Sequence, residues 1–211
     1  MKIKVCGMKD PHNILELAAL PIDYIGLIFY SRSPRYAAGL DARILEGLPE
    51  KIRRVGVFVD EEPDSLWEKI AAYKLDCVQL HGKESVGYCK KIKEQEPSLS
   101  IIKAFNVSES SDFQKTEEYE EICSYFLFDT KTKQHGGSGE KFDWCILDSY
   151  QGKIPFFLSG GISLEDSDEI KKIRHPKLYG LDLNSRFESE PGLKNIQLVS
   201  NFIKNWKNEQ N

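Results

Sequence analysis

The stretch Phe126-Leu-Phe-Asp-Thr-Lys131, followed by His135-Gly-Gly-Ser-Gly139 and Phe142-Asp-Trp144, says most about the fold of this chain. An apolar run ends in Asp129, and this acid opens a glycine-rich loop that leads into a helix. Parallel α/β enzymes place a catalytic carboxylate in this way, at the carboxyl end of a strand and beneath a loop that closes over a small molecule. The other apolar runs of the chain show which α/β fold is meant.

Eight short apolar runs, this one included, alternate with helical patterns along the 211 residues. They are Ile3–Cys6, Tyr24–Tyr30, Arg54–Val59, Cys77–Leu80, Ile101–Phe105, Tyr125–Asp129, Pro155–Ser159 and Leu178–Leu183. Nearly continuous apolar segments are typical of parallel strands that are buried on both faces. Eight β-then-α units predict a closed (β/α)8 TIM barrel. A doubly wound sheet with fewer strands is the alternative, because periodicity does not detect closure.

The segments between the strands carry helix signals. Asp64–Tyr73 has apolar residues at i, i+4 and i+7, a capping box of Ser163 and Asp166 opens a helix over Leu164–Ile173, and a last helix spans about Asn195–Trp206. The longest polar connection, Asn106–Thr116, is predicted to be a surface loop. With no linker or low-complexity segment, residues 1–211 are predicted to form a single barrel domain.

Composition narrows the classes of function. A hydrophobic fraction of 40% indicates a globular protein, and a net charge of -4 without a basic block gives no reason to expect nucleic acid. No apolar stretch approaches the roughly 20 residues that span a membrane, and the N-terminus lacks a signal-peptide pattern. Five widely spaced cysteines without a Cys-x-x-Cys pair indicate reduced thiols in a cytoplasmic protein. Cys77, Cys89, Cys123 and Cys145 are predicted to be small core residues.

The carboxyl ends of the strands of a barrel share one rim, so polar residues there belong to one site. The candidates at this rim are Cys6, Arg35, Gln79, His81, Asp129, Gly160, Gly161, Asp182, Asn184, Ser185 and Arg186. The glycine turn Ser159–Ser163 ends the seventh strand, and its backbone N–H groups can face a phosphate. Barrels often bind phosphate with the loops after strands 7 and 8, where Asn184 and Ser185 supply a second polar turn. An ordinary glycine turn is the alternative.

Two residues of the rim suit proton transfer. A thiol at Cys6, with cationic neighbours, would have its pKa depressed toward the thiolate and could accept a proton from carbon. Asp129, kept protonated by desolvation, would be a general acid. The alternatives are a small buried cysteine and a loop-capping acid. Arg35 suits a carboxylate of the substrate or is a solvated loop arginine. His81 is more often structural than catalytic.

The motifs, taken in order, resemble a known family. They are Lys4-Val-Cys-Gly-Met8, Gly26-Leu-Ile-Phe-Tyr30 with Ser33-Pro-Arg-Tyr36, Val55-Gly-Val-Phe-Val59, Val78-Gln-Leu-His-Gly82, Phe128-Asp-Thr-Lys131 with Gly136-Gly-Ser-Gly139 and Phe142-Asp-Trp144, Leu158-Ser-Gly-Gly-Ile162, Gly180-Leu-Asp182 through Glu188, and Pro191-Gly-Leu-Lys194. Together they resemble the phosphoribosylanthranilate isomerases of tryptophan biosynthesis, and the resemblance covers nearly the whole chain.

The resemblance implies an Amadori rearrangement of N-(5-phosphoribosyl)anthranilate to 1-(o-carboxyphenylamino)-1-deoxyribulose 5-phosphate, without metal or cofactor. It implies that Cys6 is the general base, Asp129 the general acid and Arg35 the residue that grips the substrate. Phosphate would bind Gly160, Gly161, Asn184 and Ser185, while Gln79, His81 and Asp182 complete the predicted substrate-binding set. One departure is Arg186, where the family usually has glycine. Its side chain either points away or adds a cation to the phosphate site.

Two alternatives to this function remain. One is a sugar-phosphate isomerase of the histidine pathway, whose family resembles this chain but has an aspartate where this chain has Cys6 and tends to show two similar half-barrels. The other is a catalytically silent, phosphate-binding barrel, against which the combination of Cys6, Asp129 and Arg35 argues. The expected partner is a small phosphorylated substrate, with no nucleic acid and no membrane. The chain is expected to be a monomer or a homodimer.

Overall fold

A computed structural model describes residues 1–130 and 143–207. Its eight parallel strands are β1 Lys2–Val5, β2 Tyr24–Ile28, β3 Arg53–Phe58, β4 Cys77–Leu80, β5 Ser100–Val107, β6 Tyr125–Thr130, β7 Phe156–Leu158 and β8 Leu178–Leu183. Each strand pairs with the next in sequence, and β8 pairs with β1, so the sheet closes into a barrel. The predicted (β/α)8 TIM barrel is therefore confirmed.

Helices surround the barrel. They are α1 Pro11–Ala18, α2 Pro63–Tyr73, α3 Val86–Gln95, α4 Ser167–Ile170 and α5 Ile196–Lys207. Short 3₁₀ helices take the crossovers without an α-helix, over Ala42–Gly47, Ser110–Tyr119 and Trp144–Ser149, and two more precede α4, over Leu164–Asp166, and follow β8, over Ser185–Phe187. An antiparallel hairpin, β9 Glu188–Glu190 and β10 Leu193–Lys194, follows the last barrel strand. None of the helices in the described parts of the chain is long and apolar enough to cross a membrane.

The barrel has an outer and an inner apolar layer, because alternate residues of each strand point to opposite sides. Ile3 and Val5 of β1 pack outward in a large cluster with residues of the helices, such as Ile14 and Phe202. A smaller cluster fills the inside of the barrel and is made of Tyr24, Val55, Cys77, Ile102, Ala104, Leu127 and Phe157. The barrel is thus a packed core, and the space for chemistry lies at its carboxyl rim.

The two helices predicted in the C-terminal part of the chain are present with shifted boundaries. The predicted capping box is present, with the N–H of Ser163 donating to the carboxylate of Asp166 at 2.7 Å. The helix predicted over Leu164–Ile173 begins as a 3₁₀ turn and its α-helical part ends at Ile170. The last helix begins at Ile196, one residue after its predicted start.

The prediction of a surface loop over Asn106–Thr116 was wrong. Strand β5 continues to Val107, and a 3₁₀ helix occupies Ser110–Tyr119. The carboxylate of Asp112 accepts the N–H of Ser108 at 3.0 Å, and the ring of Phe113 packs on that of Phe128 with centroids 4.9 Å apart. The serines and glutamates of this segment are mostly exposed, and their number made the segment resemble a loop although Asp112 and Phe113 are buried.

The prediction for the cysteines was right at three positions and wrong at one. Cys77, Cys89 and Cys123 are buried, whereas Cys145 is exposed in the turn after Asp143. The glycine-rich loop after β6, with Lys131, Gly136, Gly137, Gly139 and Phe142, lies outside the described residues, so its predicted role as a cover stays a prediction.

Candidate active site

Cys6 directly follows β1 and points into the mouth of the barrel. It is 3% exposed, and its backbone N–H donates to the carbonyl of Leu183 on β8 at 2.9 Å. The neighbouring strand leaves room for the thiol, because a Cβ built at Gly26 would lie 2.7 Å from the Cys6 sulfur. Gly7 has a φ of +77°, and a Cβ there would meet the side chains of Arg35 and Asn184 at 2.6 and 2.8 Å. Gly26 thus leaves room for Cys6, and Gly7 leaves room for Arg35 and Asn184.

The charges that face Cys6 come from three strands. Lys4 lies two residues earlier on β1, Asp182 lies on β8, and Lys194 lies on β10. Burial raises the pKa of the Cys6 thiol, and it outweighs the lowering of that pKa by the ammonium groups of Lys4 and Lys194. The expected depression of this pKa was therefore wrong for the free enzyme, since desolvation of the thiolate is the larger effect.

Asp182 is held by Lys4. The Lys4 ammonium donates to the Asp182 carboxylate at 2.8 Å, with the two side chains 0% and 5% exposed. Burial raises the pKa of Asp182, and the negative charge of Asp129 raises it further, while Lys4 and His81 lower it. Asp182 therefore interacts electrostatically both with the Cys6 thiol and with Asp129.

Asp129, at the end of β6, lies beside His81. The Nε2 atom of His81 is 3.5 Å from a carboxylate oxygen of Asp129, and both side chains are about one-seventh exposed, at 15% and 14%. The amide nitrogen of Gln79 lies 2.9 Å from Nδ1 of His81. Gln79 is 1% exposed, and its amide and the imidazole of His81 form a partly buried pair. With the amide nitrogen as donor, Nδ1 is the acceptor and the proton of a neutral imidazole lies on Nε2.

Arg35 is buried and is held by an acid that the sequence prediction did not assign. Its Nε and Nη2 atoms donate to the carboxylate oxygens of Glu188 at 2.9 and 2.7 Å. Glu188 also accepts from the Lys194 ammonium and from the N–H of Gly192, and the Lys194 ammonium donates to Asn184 at 3.0 Å. The cations lower the pKa of Glu188 against the effect of burial. Arg32, on the same loop, is exposed.

The Nη1 atom of Arg35 takes no part in the contacts with Glu188. Within residues 1–130 and 143–207, no group accepts a hydrogen bond from it. One edge of the guanidinium is therefore fixed by Glu188 while the edge that includes Nη1 can meet another anion.

The turn after β7 contains two glycines with left-handed backbone. Gly160 and Gly161 have φ angles of +91° and +65°, in a region that side chains disfavour. In the turn after β8, Asn184 and Ser185 are partly exposed and Arg186 is exposed. Arg186 does not have a positive φ, so its backbone has no need of glycine. This accounts for the tolerance of arginine there.

Sequence reasoning missed Lys4, Glu188 and Lys194 as parts of the site, although all three belong to the motifs that carry the family resemblance. A signal for Lys4 was present, because the alternation of β1 places it on the same side as Cys6, inside the barrel. Glu188 and Lys194 follow the eighth strand in a hairpin whose position the sequence does not reveal.

Fold and site together define a class. A closed (β/α)8 barrel whose carboxyl rim carries a thiol, a carboxyl group, an arginine and a glycine turn has the architecture of a TIM-barrel enzyme.

Comparisons with known proteins give the family. Residues 3–205 match the family model described as N-(5'phosphoribosyl)anthranilate (PRA) isomerase. The N-(5'-phosphoribosyl)anthranilate isomerase of Parabacteroides distasonis is 49% identical over 96% of this chain and 92% of that protein. A crystal structure of the Thermotoga maritima phosphoribosyl anthranilate isomerase is 35% identical and superimposes with a TM-score of 0.85, covering 98% of both chains. A crystal structure of a phosphoribosyl anthranilate isomerase in complex with reduced 1-(o-carboxyphenylamino)-1-deoxyribulose 5-phosphate has a TM-score of 0.82 at 32% identity and covers 98% of both chains.

The chain belongs to the N-(5'-phosphoribosyl)anthranilate isomerase family. It is an isomerase of tryptophan biosynthesis that catalyses an Amadori rearrangement. The two alternative functions considered from the sequence are thereby set aside.

Proposed function

We propose that Cys6 is the general base and Asp129 the general acid of this rearrangement. The observation that carries the proposal is the position of the two groups. The thiol follows β1 and the carboxylate ends β6, so both occupy the carboxyl rim of one closed barrel. Lys4 and Lys194 face Cys6, whose thiolate is the form that takes up the proton, and His81 faces the acid. Each group therefore has a neighbour suited to its task.

The reaction follows from the placement of protons. Asp129 protonates the ring oxygen of the ribosyl group, the C1–O bond breaks, and an iminium forms between C1 and the anthranilate nitrogen. The iminium acidifies the C2 hydrogen, and Cys6 removes it to give an enolamine. As the enolamine tautomerises to the ketone, C1 gains a proton and the C2 hydroxyl gives one up, so both side chains recover their starting states.

His81 and Gln79 are proposed to support Asp129. The Nε2 atom of His81 lies 3.5 Å from the carboxylate, which becomes an anion once it has given its proton to the ring oxygen. A hydrogen bond to that anion stabilises the ring-opened state. Gln79 keeps the imidazole in the required tautomer through its contact with Nδ1.

Arg35 is proposed to bind the carboxylate of the anthranilate group. Glu188 fixes one edge of the guanidinium, so the opposite edge is already oriented before the substrate arrives. A guanidinium edge matches a carboxylate with two parallel hydrogen bonds. This accounts for a buried arginine whose own charge is balanced by an internal acid.

The phosphate of the substrate is proposed to bind Gly160, Gly161, Asn184 and Ser185. The related enzyme in complex with a phosphorylated ligand supports a phosphate site in the family. The side chain of Arg186 is exposed at the same turn and is proposed to add a cation to it. Asp182 is proposed to hold Lys4 and not to contact the substrate directly, because it is buried in that ion pair.

The chain is proposed to be one domain over residues 1–211, since α5 packs in the same apolar cluster as α1. It is proposed to work as a monomer or a homodimer, and a Thermotoga maritima relative is described as dimeric. Sedimentation equilibrium distinguishes the two states. Five free cysteines support the expectation of a reducing, cytoplasmic setting.

The test of the proposed function is a coupled assay of anthranilate fluorescence. Phosphoribosylanthranilate is generated in the cuvette, and its consumption is followed with wild type, Cys6→Ala and Asp129→Asn. Each variant is expected to lose on the order of 10²–10⁴ in kcat, the size of a general acid or base contribution. Cys145→Ala, which removes the exposed thiol, is the control and should have the activity of wild type. Full activity of Cys6→Ala would refute the assignment of the base.

A further inference from the structure

A buried lysine lies on the strand that leads to the proposed base. Lys4 is 0% exposed, and it alternates along β1 with Ile3 and Val5, which pack toward the helices. Its side chain therefore points to the same side as that of Cys6, two residues further on. Burying an ammonium group carries a desolvation cost even when the group is paired. A core position that accepts this cost calls for a physical reason.

The ion pair with Asp182 uses only part of the hydrogen-bonding capacity of the Lys4 ammonium. An ammonium group has three N–H donors. The Asp182 carboxylate accepts one of them at 2.8 Å, and the pairing of Lys4 with Asp182 in the β1–β8 register holds both residues in place. Donors of the same ammonium remain for the inside of the barrel mouth, where the sulfur of Cys6 lies.

Of the charged groups around Cys6, Lys4 lowers the pKa of the thiol most. Among the groups that face the thiol, Lys4 on β1 and Lys194 on β10 lower its pKa, and Asp182 on β8 raises it. Lys194 is also bound to Glu188 and Asn184, on the side of Arg35. Lys4 is thus the cation nearest in sequence to the base, and Asp182 is its anchor.

We propose that Lys4 is a positioning residue that stabilises the thiolate of Cys6 while this group takes the C2 proton of the substrate, and that Asp182 holds the lysine in place. This rests on the proposed role of Cys6 as the base. In the reaction, the thiolate receives the proton and becomes a neutral thiol, and the lysine stays protonated throughout. The role of Lys4 is electrostatic, and it does not donate a proton to the substrate.

The experiment measures the thiol without the substrate. Iodoacetamide alkylation of each cysteine is followed by mass spectrometry across a pH series in wild type and Lys4→Met. The midpoint of Cys6 alkylation is expected to move up by about one pH unit or more in the variant, because the loss of a nearby cation raises the pKa of a thiol. Two internal controls report the fold. The exposed Cys145 should be alkylated equally, and the buried Cys77 should stay protected.

Two further variants make the result decisive. Lys103→Met removes another buried lysine, paired with Glu84 at 3.0 Å on the far side of the barrel, and should leave the Cys6 midpoint unchanged. Lys4→Met with Asp182→Asn removes both charges of the pair, so no unpaired carboxylate remains beside the thiol. The midpoint should still lie above that of wild type. A wild-type midpoint in the double variant, or no shift in the single one, would overturn the inference.

The inference and the proposed function fail in different ways. A shifted Cys6 midpoint together with a fully active Cys6→Ala enzyme would leave the role of Lys4 toward the thiol standing and refute Cys6 as the base. An unshifted midpoint together with an inactive Cys6→Ala enzyme would do the reverse. When both hold, Lys4→Met lowers kcat far more than it raises KM, and Lys4→Arg, which keeps the charge, recovers part of kcat.

Discussion

Replacing Glu188 by glutamine tests how the site holds Arg35. The Glu188 carboxylate is 5% exposed and lies between two cations, with Arg35 at 2.7 Å and the fully buried Lys194. Removing one partner of a buried ion pair costs about 3–5 kcal/mol, because it leaves uncompensated charge. Two cations lose their counterion here, so we expect Glu188→Gln to lower the free energy of unfolding by about that amount at pH 7.

The pH dependence has a defined sign. The folded-state pKa of Glu188 lies below its ordinary value of 4.5, so its stabilisation is present above that pH and is lost as the pH falls through the lowered value. Urea unfolding followed by circular dichroism should therefore show a gap between wild type and variant at pH 7 that closes in acid.

The same variant should raise KM for phosphoribosylanthranilate, because Arg35 loses its fixed orientation. Glu46→Gln is the matched control, since it breaks an exposed pair with Lys74 and should be indistinguishable from wild type. A loss of stability below about 1 kcal/mol, the range of an exposed pair, together with an unchanged KM, would refute the reasoning.

Three substitutions probe other parts of the site. Gly26→Ala places a Cβ 2.7 Å from the sulfur of Cys6, so kcat should fall at least about tenfold and stability by about 1–3 kcal/mol, measured by the fluorescence assay and urea unfolding. Gly39→Ala, at a position with open space, is the control, and equal behaviour of the two would contradict the crowding argument. Gly161→Ala must adopt a φ near +65° and should cost about 1–2 kcal/mol and raise KM; an unchanged KM would argue against a phosphate cradle there. Arg186→Ala should raise KM with kcat little changed, and an unchanged KM would rule out a phosphate contact.

The strands of this barrel were readable from sequence because their signal is local. Continuous apolar runs define them, and the run Cys77–Leu80 matches β4 at both ends. The segment over Asn106–Thr116 was misread because its buried contacts, Phe113 among them, are few beside its polar residues. A sequence pattern counts residues, and polar residues outnumber apolar ones in this segment. The burial of a single large ring nevertheless stabilises its packing on the barrel.

The predicted site residues were found through strand ends and family motifs, but their partners were not. Arg35 and Glu188 are 153 positions apart, and Lys4 and Asp182 are 178 apart. Such pairs exist only after the barrel has closed. The pKa of Cys6 was misjudged for a related reason, since the depth of burial at a strand end is a property of the closed mouth and not of the sequence around it.

The most direct test of the central claim is cleavage of the C2–H bond of the ribosyl group. Single-turnover rates are measured with C2-protonated and C2-deuterated substrate in wild type, Cys6→Ala and Asp129→Asn. The account predicts that both variants are slow, with opposite changes in the isotope effect. It should rise in Cys6→Ala, where proton removal becomes limiting, and shrink in Asp129→Asn, where ring opening becomes limiting. An isotope effect in Cys6→Ala equal to that of wild type, at an unchanged rate, would contradict the account.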